Sequence, residues 1–224
     1  MLPYTRAMEA EDIRECTQNA DRPAWHGVLE LARGQPARFA LEAAGPGLRH
    51  LCWPGHQALV AGQPRPDQAP ATQEADPDPA FELLHAFERS GLSALRRVEG
   101  PWALLHWDQE AGELLLAVDR LAREPLFHAR SAHGWVFGSD ADRLAALHGW
   151  TADAEWLARR TVGSALPPDQ TPYREITRLA PGCHIRLRGD GNAHPGMHGG
   201  WRLEKRERRA PVLVAGEFLE RLKS

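Results

Sequence analysis

The sequence contains little cysteine, with only Cys16, Cys52 and Cys183 among its 224 residues. An odd number of widely spaced cysteines argues against a disulfide framework and predicts a reducing, cytoplasmic location. The chain also lacks a charge excess, because 27 basic residues face 30 acidic ones and the formal net charge is -3. This balance gives no field to attract nucleic acid or an anionic membrane, so we expect neither as a partner.

Long apolar segments are absent as well. No stretch of eighteen uncharged apolar residues occurs, and the amino-terminal residues carry charges instead of the apolar core of a signal peptide. Membrane spanning and secretion are therefore disfavoured. The sequence does contain 42% hydrophobic and 25% charged residues, enough to bury a full core as one large domain or two small ones.

A loop and a helix are predicted in the first half of the chain. Residues 63–80 are rich in proline, alanine, glutamine and aspartate, which predicts a long exposed loop. From Phe81 the apolar residues follow a helical spacing that continues to Gly91, so a helix is expected over residues 80–90. Residues 1–50 receive no assignment.

Apolar runs that predict strands dominate the next segment. The runs at 102–107 and 113–118 flank a turn sequence and predict a hairpin, and those at 125–130 and 134–139 predict two more strands. Because the first two runs lack polar alternation, we expect layers on both of their faces, with Trp102, Trp107 and Trp135 in the core. Helices are predicted over 141–150, capped by Ser139 or Asp140, and over 153–161.

The end of the chain changes character. Residues 183–188 predict a strand, residues 189–200 a glycine-rich turn, and residues 202–209 are charged on every side. Residues 212–224 begin an amphipathic helix that stops without a cap. We therefore predict one domain over residues 1–200, with 201–224 as a linker and the start of a helix leading to a further domain that this sequence lacks.

An ordered series of short motifs runs through residues 98–191. It consists of a glycine before apolar residues, Trp-Asp, a strand, Asp-Arg, Pro-Leu-aromatic, a turn, Phe-x-Ser-acidic before a helix, and a later Pro-Gly before a strand. This order resembles the class II glutamine amidotransferase domain of asparagine synthetases, and the likeness covers about residues 57–224. The matching residues are Gly100, Trp107, Asp108, Asp119, Arg120, Pro125, Leu126, Phe127, Phe137, Ser139, Asp140, Pro181, Gly182 and the closing Trp201.

The resemblance implies the fold of the N-terminal-nucleophile hydrolases. This is an α+β, four-layer αββα sandwich in which two antiparallel sheets lie between helical layers. The buried strands and covering helices inferred from the apolar pattern agree with that expectation. By the same resemblance, Asp119, Arg120 and Pro125 would fix a turn, and Trp107 would fill the layer between the sheets.

The resemblance also implies where the glutamine pocket would lie. Working members expose a cysteine after removal of the initiator methionine, but the second residue here is Leu2, which has no nucleophilic atom. The family's Asn-Gly-Glu run corresponds to Ala61, Gly62 and Gln63, and an alanine at the oxyanion position cannot donate a hydrogen bond. Losing one such donor typically lowers the rate ~100-fold or more. The aspartate that holds the substrate amine would fall at Pro79, one position from Asp78.

We therefore expect no catalytic residue and a vestigial glutamine pocket in this chain. In the family, the domain supplies ammonia to a synthetase domain that activates a carboxylate with ATP. Beta-lactam synthetases and lasso-peptide cyclases need no ammonia, and their amino-terminal domains commonly lack the cysteine. The resemblance implies a scaffold or docking domain of an ATP-dependent amide ligase. Its partners would be a synthetase domain in cis or trans and a precursor peptide, with ATP and Mg bound by the synthetase domain and no cofactor here.

Two other functions stay open at this point. The chain is an active glutamine-hydrolysing asparagine synthase domain if its start is misassigned, or a stand-alone module that binds a peptide or a carrier protein along a sheet edge. A metal site is disfavoured, although Cys183, His184, His194 and His198 are close in sequence. Adjacent residues of a strand face opposite ways, and this spacing matches no known zinc finger.

Overall fold

The computed structural model describes residues 14–15, 24–31, 36–66 and 78–200. Leu2, Cys16, residues 67–77 of the predicted loop, Trp201 and the predicted linker and helix after residue 200 lie outside the described residues. Within the described ranges, no helix is long and apolar enough to cross a bilayer. The strands and helices of the described part are β1 (Arg14–Glu15), β2 (Ala24–Glu30), β3 (Arg38–Ala44), β4 (Leu48–Trp53), β5 (His56–Gly62), β6 (Arg65–Pro66), α1 (Pro79–Ser90), α2 (Leu92–Leu95), β7 (Val98–Glu99), β8 (Trp102–Asp108), β9 (Glu113–Val118), β10 (Phe127–Ser131), β11 (Gly134–Gly138), α3 (Ala141–His148), α4 (Ala154–Thr161), β12 (Ile176–Arg178), β13 (Cys183–Arg188) and β14 (Ala193–Met197).

Two antiparallel sheets organise these strands. The seven-stranded sheet has the order β1-β4-β5-β8-β9-β13-β14, and the five-stranded sheet has the order β12-β10-β11-β2-β3. A short ribbon pairs β6 with β7. The predicted hairpins are confirmed: β8 pairs with β9, and β10 pairs with β11. Asp108 closes the first hairpin, because its Oδ1 accepts the Ala111 amide at 2.8 Å.

The two sheets face each other across the largest apolar cluster. Leu29 and Phe137 of the five-stranded sheet pack there with Leu105, Trp107 and Leu116 of the seven-stranded sheet, and each is at most 4% exposed. The ring of Phe39 stacks on Trp107 with 5.5 Å between centroids. Burial of this apolar surface is the main stabilising contribution, at about 25 cal/mol per Å². Trp107 thus fills the space between the sheets, as predicted.

Helices cover the outer faces of both sheets. Leu83 and Leu84 of α1 pack on Val60 and Leu104 of the seven-stranded sheet. On the other side, Leu144 of α3 joins an apolar cluster formed with β10, β11 and β12. The order of layers is therefore helix, sheet, sheet, helix, which confirms the αββα class. Strands β8 and β9 are buried on both faces, as the lack of polar alternation predicted.

The helix boundaries follow from capping residues. Asp78 and Asp140 accept backbone amides at the starts of α1 and α3, and Gly149 ends α3 in the left-handed conformation. Ser139, the other predicted cap, instead bonds the backbone of Trp25, with its Oγ 3.2 Å from the amide and 3.3 Å from the carbonyl oxygen. This contact ties β11 to β2.

Some predictions require correction. The glycine-rich segment 189–200 was expected to be only a turn, yet β14 forms there and pairs with β13. Pro195 fits this strand because β14 ends the order of its sheet, where a missing amide donor is tolerated. Trp135, expected in the core, is only half-buried and carries the Arg130 guanidinium 5.0 Å from its ring centroid. Trp25, which the sequence left unplaced, is 3% exposed and belongs to the core.

Candidate functional site

The residues predicted for a vestigial glutamine pocket begin at the end of β5, where the predicted oxyanion position lies. Ala61 pairs with Leu48 of β4 and Ala103 of β8, and it is 2% exposed. Its methyl group belongs to the cluster between the sheets. A methyl group buried in an apolar layer offers no hydrogen-bond donor to a developing oxyanion. The side chain at this position can therefore only pack.

Gly62 and Gln63, which follow Ala61, pack closely against the backbone of neighbouring segments. The Gly62 amide donates to the Gly47 carbonyl oxygen at 2.9 Å, and the Gln63 amide donates to that of Pro101 at 2.7 Å. Gly62 has a φ of 90°, and a Cβ built there would overlap the Pro101 carbonyl oxygen and lie 2.7 Å from Glu124 Cγ. Only glycine fits at position 62, where the backbone passes close to the Pro101 carbonyl oxygen. The predicted pocket residues 61–63 are thus adjacent, but their amides are already paired.

Asp78 lies at the start of α1, one residue before the position that the resemblance implies for the amine-binding aspartate. Its Oδ1 accepts the Ala80 amide at 3.0 Å, and its Oδ2 accepts Nε of Arg49 at 2.7 Å. Both side chains are half-exposed, at 42% and 46%. The carboxylate therefore serves as helix cap and ion-pair partner at once. Pro79, the strictly aligned position, is the first residue of α1 and has no polar side chain.

Arg49 and Glu124 belong to this site, although the sequence did not single them out. Arg49 pairs with Val60 in the β4–β5 ladder, so its ion pair links α1 to the strand end that carries Ala61. Glu124 lies over Gly62. Burial, reinforced by the charge of Asp119, raises the pKa of the Glu124 carboxyl, while Arg123 opposes the shift. The sequence signal that could have indicated Glu124 as a site residue is its position beside the Pro-Leu-aromatic motif.

Asp119 organises the turn between β9 and β10. It is 2% exposed, and its carboxylate accepts the amides of Trp102 at 3.2 Å, Leu121 at 2.8 Å and Arg123 at 3.0 Å. The turn holds Ala122 at a φ of 48°, a conformation that alanine rarely adopts. Three amide donors on one carboxylate fix this strained turn. The resemblance placed Asp119 in a structural role, and its contacts agree.

The remaining motif residues also make structural contacts. Arg120 donates from its Nη2 to the Arg96 carbonyl oxygen. Leu126 is fully buried in the cluster between the sheets, while Pro125 and Phe127 are half-buried. Gly182 accepts the amides of His198 and Gly199, both at 3.0 Å, and its own amide donates to Asp119 at 2.9 Å. Pro181 directly precedes Gly182, just before the start of β13, and the place where the Gly182 backbone meets that of residues 198–199 is here named the Pro181-Gly182 crossing.

The cysteine and histidine residues near β13 do not converge on one point. In the described part of the chain, no group of three or more His, Cys, Asp or Glu side chains is arranged to hold a metal ion. The rings of His184 and His198 lie 5.7 Å apart by their centroids. Burial, aided by the neighbouring His184, lowers the pKa of His198 to about 4, so this imidazole is neutral at physiological pH. Burial raises the pKa of the Cys183 thiol.

Two facing antiparallel sheets with helices on both outer faces define the class of an amidotransferase-like domain. A family model for a glutamine amidotransferase domain matches residues 75–196, which is more than half of the chain. The chain belongs to this glutamine amidotransferase family. The matched segment contains the Asp119 turn and the Pro181-Gly182 pair.

Known proteins place the chain near asparagine synthetases. Putative glutamine-hydrolysing asparagine synthetases of Mycobacterium bovis and Mycobacterium tuberculosis are each 31% identical to it over 113 residues, covering 48% of this chain. The chain spans only 17% of the length of these relatives. Among solved structures, the glutamine phosphoribosylpyrophosphate amidotransferase from B. subtilis is similar at a TM-score of 0.41 and 12% identity, covering 79% of this chain and 43% of that one.

Proposed function

We propose that this chain is a non-catalytic glutaminase-like domain that scaffolds or docks an ATP-dependent, amide-forming ligase of the asparagine synthetase type. The observation that carries the proposal is Ala61, whose methyl group is buried in the apolar cluster at the position that the resemblance assigns to the oxyanion donor. A tetrahedral intermediate formed at this place would lack that stabilisation.

The other pocket positions support the same proposal. Leu2, at the position of the nucleophile, has no atom that can attack an amide carbon. Asp78 already accepts the Ala80 amide and the Arg49 guanidinium, so it has less capacity to hold a substrate amine. The contacts of Asp119 and Gly182 give the motif residues a structural use that does not depend on hydrolysis.

The partner we propose is a synthetase domain, in cis or in trans. It would bind ATP and Mg, and this chain would bind no cofactor. The relatives are much longer than this chain, which leaves room in them for such a domain. We propose a macrolactam-forming or beta-lactam-forming ligase, with a precursor peptide as a further partner, because such enzymes join an amine that their substrate already carries. The cytoplasm is the proposed location, based on the few scattered cysteines.

Glutamine hydrolysis tests the proposal directly. The full chain is incubated with glutamine, and glutamate and ammonia are measured before and after repurification. We expect no release above the blank. A Leu2→Cys/Ala61→Asn double variant, processed to remove Met1, supplies both a thiol and a donor. Its matched control, Leu2→Cys alone, should be about 100-fold slower if the donor matters. Hydrolysis by the unmodified chain that persists through repurification contradicts the proposal.

Partner binding tests the docking role. Affinity capture with a candidate synthetase half should give a stable complex, whereas calorimetric titration of the chain alone with MgATP should show no micromolar affinity. Tight MgATP binding by this chain would contradict the proposal that the synthetase domain holds the nucleotide.

An active glutaminase is the second candidate, favoured by the match of more than half of the chain to an amidotransferase family. Mass spectrometry of the mature amino terminus and labelling with a glutamine-analogue affinity reagent separate the two functions. The scaffold proposal expects no terminal cysteine and no covalent label.

A further inference from the structure

Three arginines with no carboxylate partner lie together at the end of the sandwich that also carries Gly62. These residues, here named the arginine cluster, are Arg96, Arg97 and Arg120. In the described part of the chain, none of them forms an ion pair within 4.0 Å. Arg96 and Arg97 follow α2 and are exposed, while Arg120 follows Asp119 at the end of β9 and is half-buried.

The contacts of Arg120 hold its guanidinium in place. Nη2 donates to the Arg96 carbonyl oxygen, which brings the two charged residues together. On the other side, Gly199 lies against the side-chain stem, and a Cβ built there would be 3.2 Å from Arg120 Cγ. A guanidinium fixed by packing loses less conformational entropy when it binds a ligand.

The neighbouring Asp119 does not neutralise this charge. Its carboxylate is occupied by three backbone amides, and the guanidinium near it belongs to Arg123, at 4.0 Å. Burial, aided by the charges of His184, Arg120 and Arg96, lowers the pKa of His198, so this neutral imidazole beside the cluster carries no charge. In the described part of the chain, no carboxylate lies within 4.0 Å of these three guanidinium groups, so no ion pair balances their positive charges.

We propose that the arginine cluster is a binding site for a phosphate or pyrophosphate group. The planar guanidinium fork matches the oxygen geometry of phosphate, and a multiply charged anion relieves more repulsion among three cations than a single carboxylate does. The site does not include Ala61 or Asp78, so it does not depend on whether the domain hydrolyses glutamine.

Calorimetric titration of the full chain with inorganic pyrophosphate tests the site, with inorganic phosphate and acetate as competing probes. We expect pyrophosphate to bind more tightly than phosphate, acetate not to compete, and affinity to fall as sodium chloride is added. The Arg96→Ala/Arg97→Ala variant alters only exposed side chains, so it should fold, and it should bind pyrophosphate at least about tenfold more weakly. Arg120→Lys, which keeps the stem and the charge but loses the fork, should also bind more weakly.

Arg159→Ala is a control for the loss of surface charge elsewhere on the domain, because it removes an exposed positive charge from α4. It should leave pyrophosphate affinity unchanged. The imidazole resonances of His198 give a second readout, because a bound anion offsets the charges of Arg96 and Arg120 and should raise the His198 pKa from about 4. Equal affinity of the wild type and the Arg96→Ala/Arg97→Ala variant, equal binding of acetate, or an equal loss in Arg159→Ala would each overturn the proposal.

Discussion

Replacing Asp119 by alanine should destabilise the domain more than replacing an exposed aspartate by alanine. The carboxylate is 2% exposed and accepts three backbone amides. Of the donor residues, Trp102 is 1% exposed, so its amide would lose its side-chain partner without access to water. An unsatisfied buried donor costs about 1–3 kcal/mol, and hydrogen bonds to a charged group contribute about 1.5–3 kcal/mol each.

These contributions are not additive, because Leu121 and Arg123 are exposed and water can replace the carboxylate at their amides. We therefore expect Asp119→Ala to lower the free energy of unfolding by about 3–5 kcal/mol, a large share of the roughly 5–15 kcal/mol of a typical domain. Urea denaturation followed by circular dichroism measures this difference. Asp119→Asn keeps one acceptor oxygen in place and should lose less.

The matched control is Asp190→Ala. Asp190 also accepts a backbone amide, from Asn192 at 2.8 Å, but it is exposed. This variant should lose much less stability than Asp119→Ala, because water can replace the exposed carboxylate. A loss below about 1 kcal/mol in Asp119→Ala, or equal losses in both variants, would show that the Asp119 turn does not hold the fold as described.

Further perturbations test other parts of the site. Gly62→Ala should lower the melting temperature strongly because of the overlap with Pro101, whereas Gly55→Ala, with a similar φ of 79° but nothing within 4 Å, should show only the backbone strain of about 1–2 kcal/mol. Asp78→Ala should lower the free energy of unfolding by about 1 kcal/mol, because α1 loses its cap. Arg49→Ala removes only the ion pair, so it should cost less, and an equal loss would show that the ion pair matters more than the cap. The depressed pKa of His198 means that the unfolded chain binds its proton more readily, so stability should fall by up to about 1.4 kcal/mol per pH unit as the pH drops from about 6.5 to about 4. His198→Leu should reduce this slope without removing it, because burial also lowers the pKa of His128 to about 4, and an unchanged profile would refute the assignment.

The hairpins and the capped helices could be predicted because their signals are local. The apolar runs of β8 and β9 lie on either side of one turn, and Asp140 directly precedes the helical spacing of α3. Strands β2, β3 and β4 were not predicted, although β2 pairs with β3 and β4 pairs with β5 nearby in sequence, because polar residues such as His26, Glu42 and Arg49 interrupt their apolar pattern. Strand β14 was missed because Gly196 and Pro195 resemble a turn, and only pairing with β13 makes this segment extended.

The candidate site also contains residues that the sequence could predict and residues that it could not. Ala61, Gly62, Gln63 and Asp78 were found by resemblance, because they belong to short motifs with a fixed order. Arg49 was not, because its role depends on an ion pair across 29 residues of sequence. Its charge alternates with buried neighbours in β4, which is also typical of any half-exposed strand.

The Pro181-Gly182 crossing, where the backbone of Gly182 meets that of Gly199, fixes the last described residues of the chain. Gly182 is bonded to Asp119 on one side and to His198 and Gly199 on the other, and a Cβ at this position would overlap the Gly199 carbonyl oxygen. Any larger residue would push the segment at 198–199 away from the end of β9. These residues are therefore positioned by a contact between two backbones, and no side chain sets their distance from β9.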